Sequence, residues 1–169
     1  MKLKEGLKEE FTFDGVVIIS LQTIKPNISS IVLHANQLNI DKWEINETGA
    51  LYKDSGVFDN STYEVKTHKW TIPLKDVMKV NTEYMLRVEY TGTLNDEMKG
   101  FYRSSYKEGT LTKWIATTQF QSTDARRAFP CMDEPGFKAT FQLTMNRPNS
   151  FKSTISNTAL ISSLPNPSK

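Results

Sequence analysis

Two glutamines, Gln119 and Gln121, lie one residue apart near the end of a strand predicted over Leu111–Gln121. Alternate side chains of a strand point to the same side, so the two carboxamides are expected to project together, about 7 Å apart. Neutral carboxamide oxygens accept hydrogen bonds from an ammonium or a peptide N–H group without the full desolvation cost of an ion pair. The pair is a candidate ligand site; the alternative is two glutamines on a solvated strand face.

The segment that follows, 124–135, is unusually polar and contains two prolines. Its charged residues are Asp124, Arg126, Arg127, Asp133 and Glu134. Arginines beside carboxylates can cross-link a loop through bidentate hydrogen bonds. The alternative, an acid/base pair or half of a metal site at Asp133 and Glu134, is disfavoured because adjacent side chains diverge and no histidine is near in sequence. Cys131 also lacks a neighbouring histidine, which indicates a buried thiol rather than a nucleophile.

Composition narrows the class of protein. The chain has 169 residues, of which 38% are hydrophobic and 24% charged, which is typical of one folded domain. Its 21 basic and 19 acidic residues give a net charge of +2, too balanced for a nucleic-acid partner. The single cysteine excludes an internal disulfide and a cysteine-built zinc site, and neither His34 nor His68 begins a His-Glu-x-x-His motif.

The elements that must position these residues are strands, because the dominant hydrophobic period is two. Strands are predicted over 12–24, 30–35, 37–45, 61–69, 83–94, 111–121 and 137–145, with a weaker one at 151–159. Only 123–128 is predicted to form a helical turn. The sequence therefore predicts an all-β fold, an antiparallel β-sandwich, in a single domain over 11–160.

The two ends of the chain are expected to lie outside this domain. The charged segment 1–10 lacks the apolar stretch of a signal peptide, and no apolar run is long enough to cross a membrane, which predicts no direct membrane insertion by this segment. The segment 161–169 is predicted to be a loop leading to a domain that the chain does not contain. The expectation is that the chain is a fragment of a longer protein.

Six stretches of the chain form recognisable motifs: TTQFQ at 117–121, DARRAFPCMDEP at 124–135, FKATF at 137–141, GFYRSSY at 100–106, IVLHA at 31–35 and LNI at 38–40. Together they resemble the N-terminal domain of the aminopeptidase N-like zinc metallopeptidases, the gluzincins. The resemblance extends from about Phe13 to Asn157.

This resemblance implies a saddle-shaped β-sandwich that sits against a thermolysin-like catalytic domain. It implies that Gln121 binds the free α-amino group of a peptide and that Gln119 lines the pocket for the first side chain. Many members carry Glu where this chain has Gln121, so the chain is most similar to the membrane alanyl aminopeptidase branch. The family's opening strand should precede Phe11, and its absence is expected to leave an unpaired sheet edge.

The resemblance also implies a zinc cofactor in the parent enzyme, held by His-Glu-x-x-His and a downstream Glu, and a Gly-x-Met-Glu-Asn substrate loop. None of these motifs occurs in this sequence. The chain alone is therefore expected to bind no zinc, to be inactive, and to meet peptide substrates only through the parent's catalytic domain. The alternatives are a non-catalytic relative acting as a scaffold in a protein complex, and an unrelated β-sandwich binding module.

Three sequons bear on localisation. They begin at Asn27, Asn46 and Asn60, near predicted turns or strand ends, and are candidate glycosylation sites. Together with the resemblance they favour a parent protein on the extracellular face of the plasma membrane, with a cytoplasmic parent as the alternative.

Overall fold

The computed structural model describes residues 2–3, 11–49, 53–57, 60–149, 151 and 153–164 of the chain. Its ten strands are β1 (Lys2–Leu3), β2 (Thr12–Gln22), β3 (Ile28–His34), β4 (Leu38–Glu47), β5 (Lys53–Gly56), β6 (Thr62–Glu64), β7 (Lys69–Met78), β8 (Glu83–Thr93), β9 (Gly100–Glu108) and β10 (Leu111–Gln119). A 3₁₀ turn covers Ala125–Arg127. The described residues include no helix long and apolar enough to cross a membrane.

The strands form two sheets and a hairpin. The first sheet has the order β1-β2-β8-β4-β5 and the second has the order β3-β7-β6, while β9 and β10 pair only with each other. Every pair of strands is antiparallel. The predicted all-β, antiparallel β-sandwich is thus confirmed.

Both sheets contribute to one core, as the central strand β8 illustrates. Its residues Tyr84, Leu86, Val88 and Tyr90 are at most 3% exposed. They alternate with more exposed residues because successive side chains of a strand point to opposite faces. Trp70 of the second sheet is fully buried and belongs to the same apolar cluster as these four residues. The alternation seen in the sequence therefore marks the inner faces of the sandwich.

A buried carboxylate ties the two sheets together at one end. Asp54 of β5 is 3% exposed. Its Oδ1 accepts a hydrogen bond from the Ser55 N–H at 2.8 Å, and its Oδ2 accepts one from the Lys75 N–H of β7 at 2.9 Å. Burial by itself raises the pKa of Asp54, but hydrogen bonds from Lys75 and Ser55 outweigh it and lower that pKa overall. Asp54 is thus ionised at neutral pH and bridges both layers.

Two strands, β7 and β9, were not predicted from the sequence. The predicted strand at 61–69 divides into β6 and a turn over 65–68, and the longer β7 follows it. Pro73 lies inside β7, where a residue without an N–H group argues against a strand. It is accommodated opposite Ser30, next to a break in the register of β3. β9, for which no strand was predicted, is the second case.

The predicted strand at 137–145 is wrong. These residues pair with no strand of the described chain, and Phe137, Phe141 and Leu143 are 59%, 78% and 62% exposed. The weaker prediction at 151–159 also fails over the described residues 151 and 153–159. Alternation predicts a strand only where a neighbouring strand completes its hydrogen bonds, and neither segment has such a neighbour among the residues that the structure describes.

Candidate functional site

The candidate site lies at the end of the β9–β10 hairpin. The two strands pair from Leu111 opposite Glu108 to Gln119 opposite Gly100. Arg103 of β9 fixes the hairpin to its surroundings, because its guanidinium binds both carboxylate oxygens of Asp96 at 2.7 Å. Most polar groups of the site follow β10 in the sequence. The end of this hairpin therefore fixes the position of the segment that carries them.

The structure places both predicted ligand residues at the end of this hairpin. Gln119 is the last residue of β10, so the strand ends two residues earlier than predicted, and Gln121 lies in the turn that follows. Both glutamines are exposed. Phe120 between them is half-buried, with its ring centroid 5.9 Å from that of Phe129. A packed aromatic side chain thus anchors the segment, while the binding roles of the two carboxamides stay a prediction.

Arg126 cross-links the polar loop from inside. Its side chain is 10% exposed, and its Nε donates to Asp133 Oδ2 at 2.9 Å. The Arg126 main-chain N–H donates to the same oxygen at 3.2 Å, and Nη2 donates to the Asp133 carbonyl at 3.1 Å. The remaining arm, Nη1, donates to the Thr67 carbonyl at 3.0 Å. The loop is therefore closed on itself and joined to the turn before β7.

Arg127 joins the same loop to two further connections. Its Nη1 donates at 2.8 Å to Gln37 Oε1, which precedes β4, and at 2.8 Å to Glu97 Oε2, which lies between β8 and β9. Its Nε lies 3.0 Å from Asp124 Oδ1. These contacts support the sequence interpretation of 124–135 as a cross-linked loop.

His34 is the loop contact that sequence reasoning missed. Its main chain exchanges two hydrogen bonds with Cys131, and its Nδ1 accepts one from the Asp133 N–H at 3.3 Å. Its Nε2 lies 3.8 Å from Glu134 Oε1. A histidine therefore does lie beside the Asp133 main chain and the Glu134 carboxylate in space, although 99 residues separate it from Asp133 in sequence. Only the pairing of β3 with the loop brings it there.

The loop also borders an open cavity of about 340 Å³. Its lining residues are Ser122, Ala125, Phe129, Cys131, Met132, Asp133, Glu134, Pro135, Phe137, Lys138 and Phe141. Burial raises the pKa of the Cys131 thiol to about 12, so this side chain is protonated and unreactive at neutral pH. In the part of the chain that the structure describes, no group of three or more His, Cys, Asp and Glu side chains is arranged to hold a metal ion.

Fold and site together define a β-sandwich domain whose polar features gather at one hairpin end and the rigid loop after it. The family model of the Peptidase M1 N-terminal domain matches residues 1–169. The chain therefore belongs to that family, and the alternative of an unrelated β-sandwich is excluded.

Curated relatives support the same assignment. The chain is 42% identical over 149 residues to a membrane alanyl aminopeptidase of Manduca sexta, covering 87% of this chain and 15% of the relative. It is 34% identical to aminopeptidase N of Canis lupus familiaris, covering 82% and 14%. It is 39% identical to a puromycin-sensitive aminopeptidase of Caenorhabditis elegans, covering 92% and 16%. The chain thus spans only about 15% of the length of relatives such as the first.

Proposed function

We propose that this chain is the substrate-facing N-terminal domain of a zinc-dependent aminopeptidase that removes N-terminal residues from peptides. In this proposal Gln121 binds the α-amino group of the peptide and Gln119 lines the pocket for its first side chain. The observation that carries the proposal is the exposure of both glutamines at the end of a hairpin, directly before a rigid loop.

Rigidity of the supporting segment favours binding. Phe120 packs against Phe129, and the following loop is held by Arg126 and Arg127 through six side-chain hydrogen bonds and ion pairs. A site held in place before its ligand arrives loses less conformational entropy on binding. The glutamines can thus accept hydrogen bonds from an ammonium group without first ordering their own backbone.

Zinc belongs, in this proposal, to the part of the parent enzyme outside this chain. The described residues offer no cluster to hold it, and the sequence lacks the zinc-binding motif. When bound in the parent, zinc activates water and polarises the scissile carbonyl. This chain contributes only binding and orientation of the peptide's amino end, so the 169-residue chain by itself is proposed to be inactive.

Gln121→Glu in the parent enzyme is expected to lower KM for alanine p-nitroanilide by about fivefold, because the carboxylate adds a charge–charge attraction of about 1 kcal/mol to the hydrogen bond from the ammonium. Steady-state kinetics at neutral pH measure this change.

Gln142→Glu is the matched control, because Gln142 is also exposed, lies outside the site and receives the same change of charge. We expect it to leave KM unchanged. The isolated 169-residue chain, given zinc and the same substrate, should show no turnover. A KM for Gln121→Glu equal to that of the parent would exclude an amino-anchoring role for Gln121.

We further propose a parent on the extracellular face of the plasma membrane. The support is that similar proteins include membrane alanyl aminopeptidases of Manduca sexta and Heliothis virescens. The puromycin-sensitive relative carries no membrane term in its name and keeps the cytoplasmic alternative open.

In the secreted protein, glycan occupancy is expected to differ among the three sequons. Asn27 and Asn60 are exposed in connections between strands, whereas Asn46 is half-buried in β4 and paired with both Lys53 and Met85. Because N-glycans occupy surface loops, we expect modification at Asn27 and Asn60 but not at Asn46. Mass spectrometry of peptides deglycosylated in ¹⁸O-labelled water measures each site; occupancy at Asn46 alone would contradict this expectation.

A further inference from the structure

One buried imidazole holds the polar loop against the second sheet. His34, the last residue of β3, is 7% exposed. Its main-chain N–H donates to the Cys131 carbonyl at 2.7 Å, and the Cys131 N–H donates back at 3.1 Å. Its ring adds the hydrogen bond from the Asp133 N–H to Nδ1 at 3.3 Å. The ring contact, unlike the two backbone bonds, depends on a group that titrates near neutral pH.

We propose that His34 is a proton-operated latch that releases the loop 124–135 from β3 on mild acidification. An Nδ1 that accepts a hydrogen bond carries no proton, so the neutral ring has its proton on Nε2, facing Glu134. A proton from solvent binds the Nδ1 lone pair and makes the ring a cation. Two N–H groups then face each other, and the Asp133 amide loses its acceptor.

Charges around the ring come from three elements. Arg126 of the 3₁₀ turn and Lys69, opposite His34 on β7, oppose protonation, whereas Glu134 and Asp133 of the loop favour it. The Glu134 side chain is 52% exposed, so water screens its attraction. The Cys131 thiol is uncharged at neutral pH. Burial of the ring adds to the effect of the two cations, and together they outweigh the two carboxylates and disfavour protonation of His34.

The net lowering of the His34 pKa sets the direction in which the stability of the closed loop changes with pH. Burial, the largest cause, and then Arg126 lower the pKa of His34 from its ordinary value of 6.5. A histidine whose pKa is lower in the closed state than in the open state contributes stability that is complete above the open-state value. That contribution is lost as the pH falls below about 6.5, the ordinary value that the open loop restores.

Hydrogen exchange at the Asp133 amide of the full 169-residue chain, followed by NMR, tests the latch. Between about pH 7.5 and about pH 5, and after correction for intrinsic exchange, we expect the opening constant to rise about three- to tenfold, as loss of one hydrogen bond predicts. The Asn81 amide, bonded to the Thr23 carbonyl at 2.8 Å, is the internal control and should not change.

Two variants separate the latch from general acid sensitivity. His34→Asn keeps an acceptor near the position of Nδ1 without a titrating ring, so the acid-dependent opening should disappear; its persistence would overturn the proposal. Glu134→Gln removes an attraction that favours the cation in the closed state, so the pKa of His34 there falls further and the acid-dependent rise of the opening constant should be larger. If His34→Asn does not fold, an unchanged rise in Glu134→Gln overturns the proposal instead.

The latch goes beyond the proposed aminopeptidase role, because it concerns the loop rather than the ligand. It has a consequence for the site nonetheless. The loop begins at Asp124, three residues after Gln121. Its release would free the backbone that supports this glutamine in the turn after β10.

Discussion

Arg126→Ala is expected to lower the free energy of unfolding by about 3–5 kcal/mol, the cost of removing one partner from a buried ion pair. The Arg126 guanidinium donates to the Asp133 carboxylate, the Asp133 carbonyl and the Thr67 carbonyl. Its removal leaves a carboxylate whose side chain is only 12% exposed without its cation. Urea unfolding followed by circular dichroism measures the change.

An exposed ion pair provides the matched control. Arg87 and Glu89 are adjacent on the outer face of β8, with side chains 36% and 39% exposed. Pairs of that kind contribute about 0–1 kcal/mol, so Arg87→Ala should have a small effect. Arg126→Lys keeps the charge but loses the planar fork, and we expect it to restore only part of the stability. Equal losses for Arg126→Ala and Arg87→Ala would show that the buried pair does not hold the loop.

Period-two alternation predicted the inner faces of the sandwich where strands have neighbours on both sides. β8 lies between β2 and β4, so its buried face and its hydrogen bonds are both satisfied. The pattern failed at 137–145, whose alternation is the most regular in the chain but whose side chains are largely exposed. Sequence encodes which face is apolar, whereas pairing depends on a second segment that periodicity does not identify.

The candidate site shows the same division between local and distant information. The contact between Arg126 and Asp133 spans seven residues and was predictable from the charges of one loop. Alternation singled out Gln119 and Gln121 as a pair on one strand face, but β10 ends at Gln119, so Gln121 lies beyond the strand on which that prediction rests. His34 could not be placed beside Asp133, because no local pattern links residues on β3 to a loop 99 positions later.

Gly100→Ala is expected to destabilise the protein by about 2–5 kcal/mol, through backbone strain and overpacking together. Gly100 has a φ of +70°, which L-residues rarely adopt. A methyl group there would lie 2.4 Å from Arg127 Cβ and 3.1 Å from the Asp124 carbonyl oxygen. Both atoms belong to the loop that Arg126 and Arg127 hold in place, so neither can move aside cheaply.

Gly109→Ala separates the cost of backbone strain from the cost of overpacking. Gly109 lies in the turn of the same hairpin with a φ of +61°, and a methyl group there would meet no atom within 4 Å. Its substitution should cost only the backbone strain, about 1–2 kcal/mol. Urea unfolding of both variants measures the difference, which isolates the steric contact between β9 and the loop.

The contact at Gly100 also reaches the proposed ligand residues, because Gly100 pairs with Gln119 across the hairpin. If the loop and the hairpin end form one rigid unit, Gly100→Ala should shift the NMR signals of Gln119 and Asp124, whereas Gly109→Ala should leave them in place. Equal stability losses in the two variants, with both signals unmoved, would mean that loop and hairpin are independent. The rigid loop would then give no support to an ammonium-binding role for the glutamines.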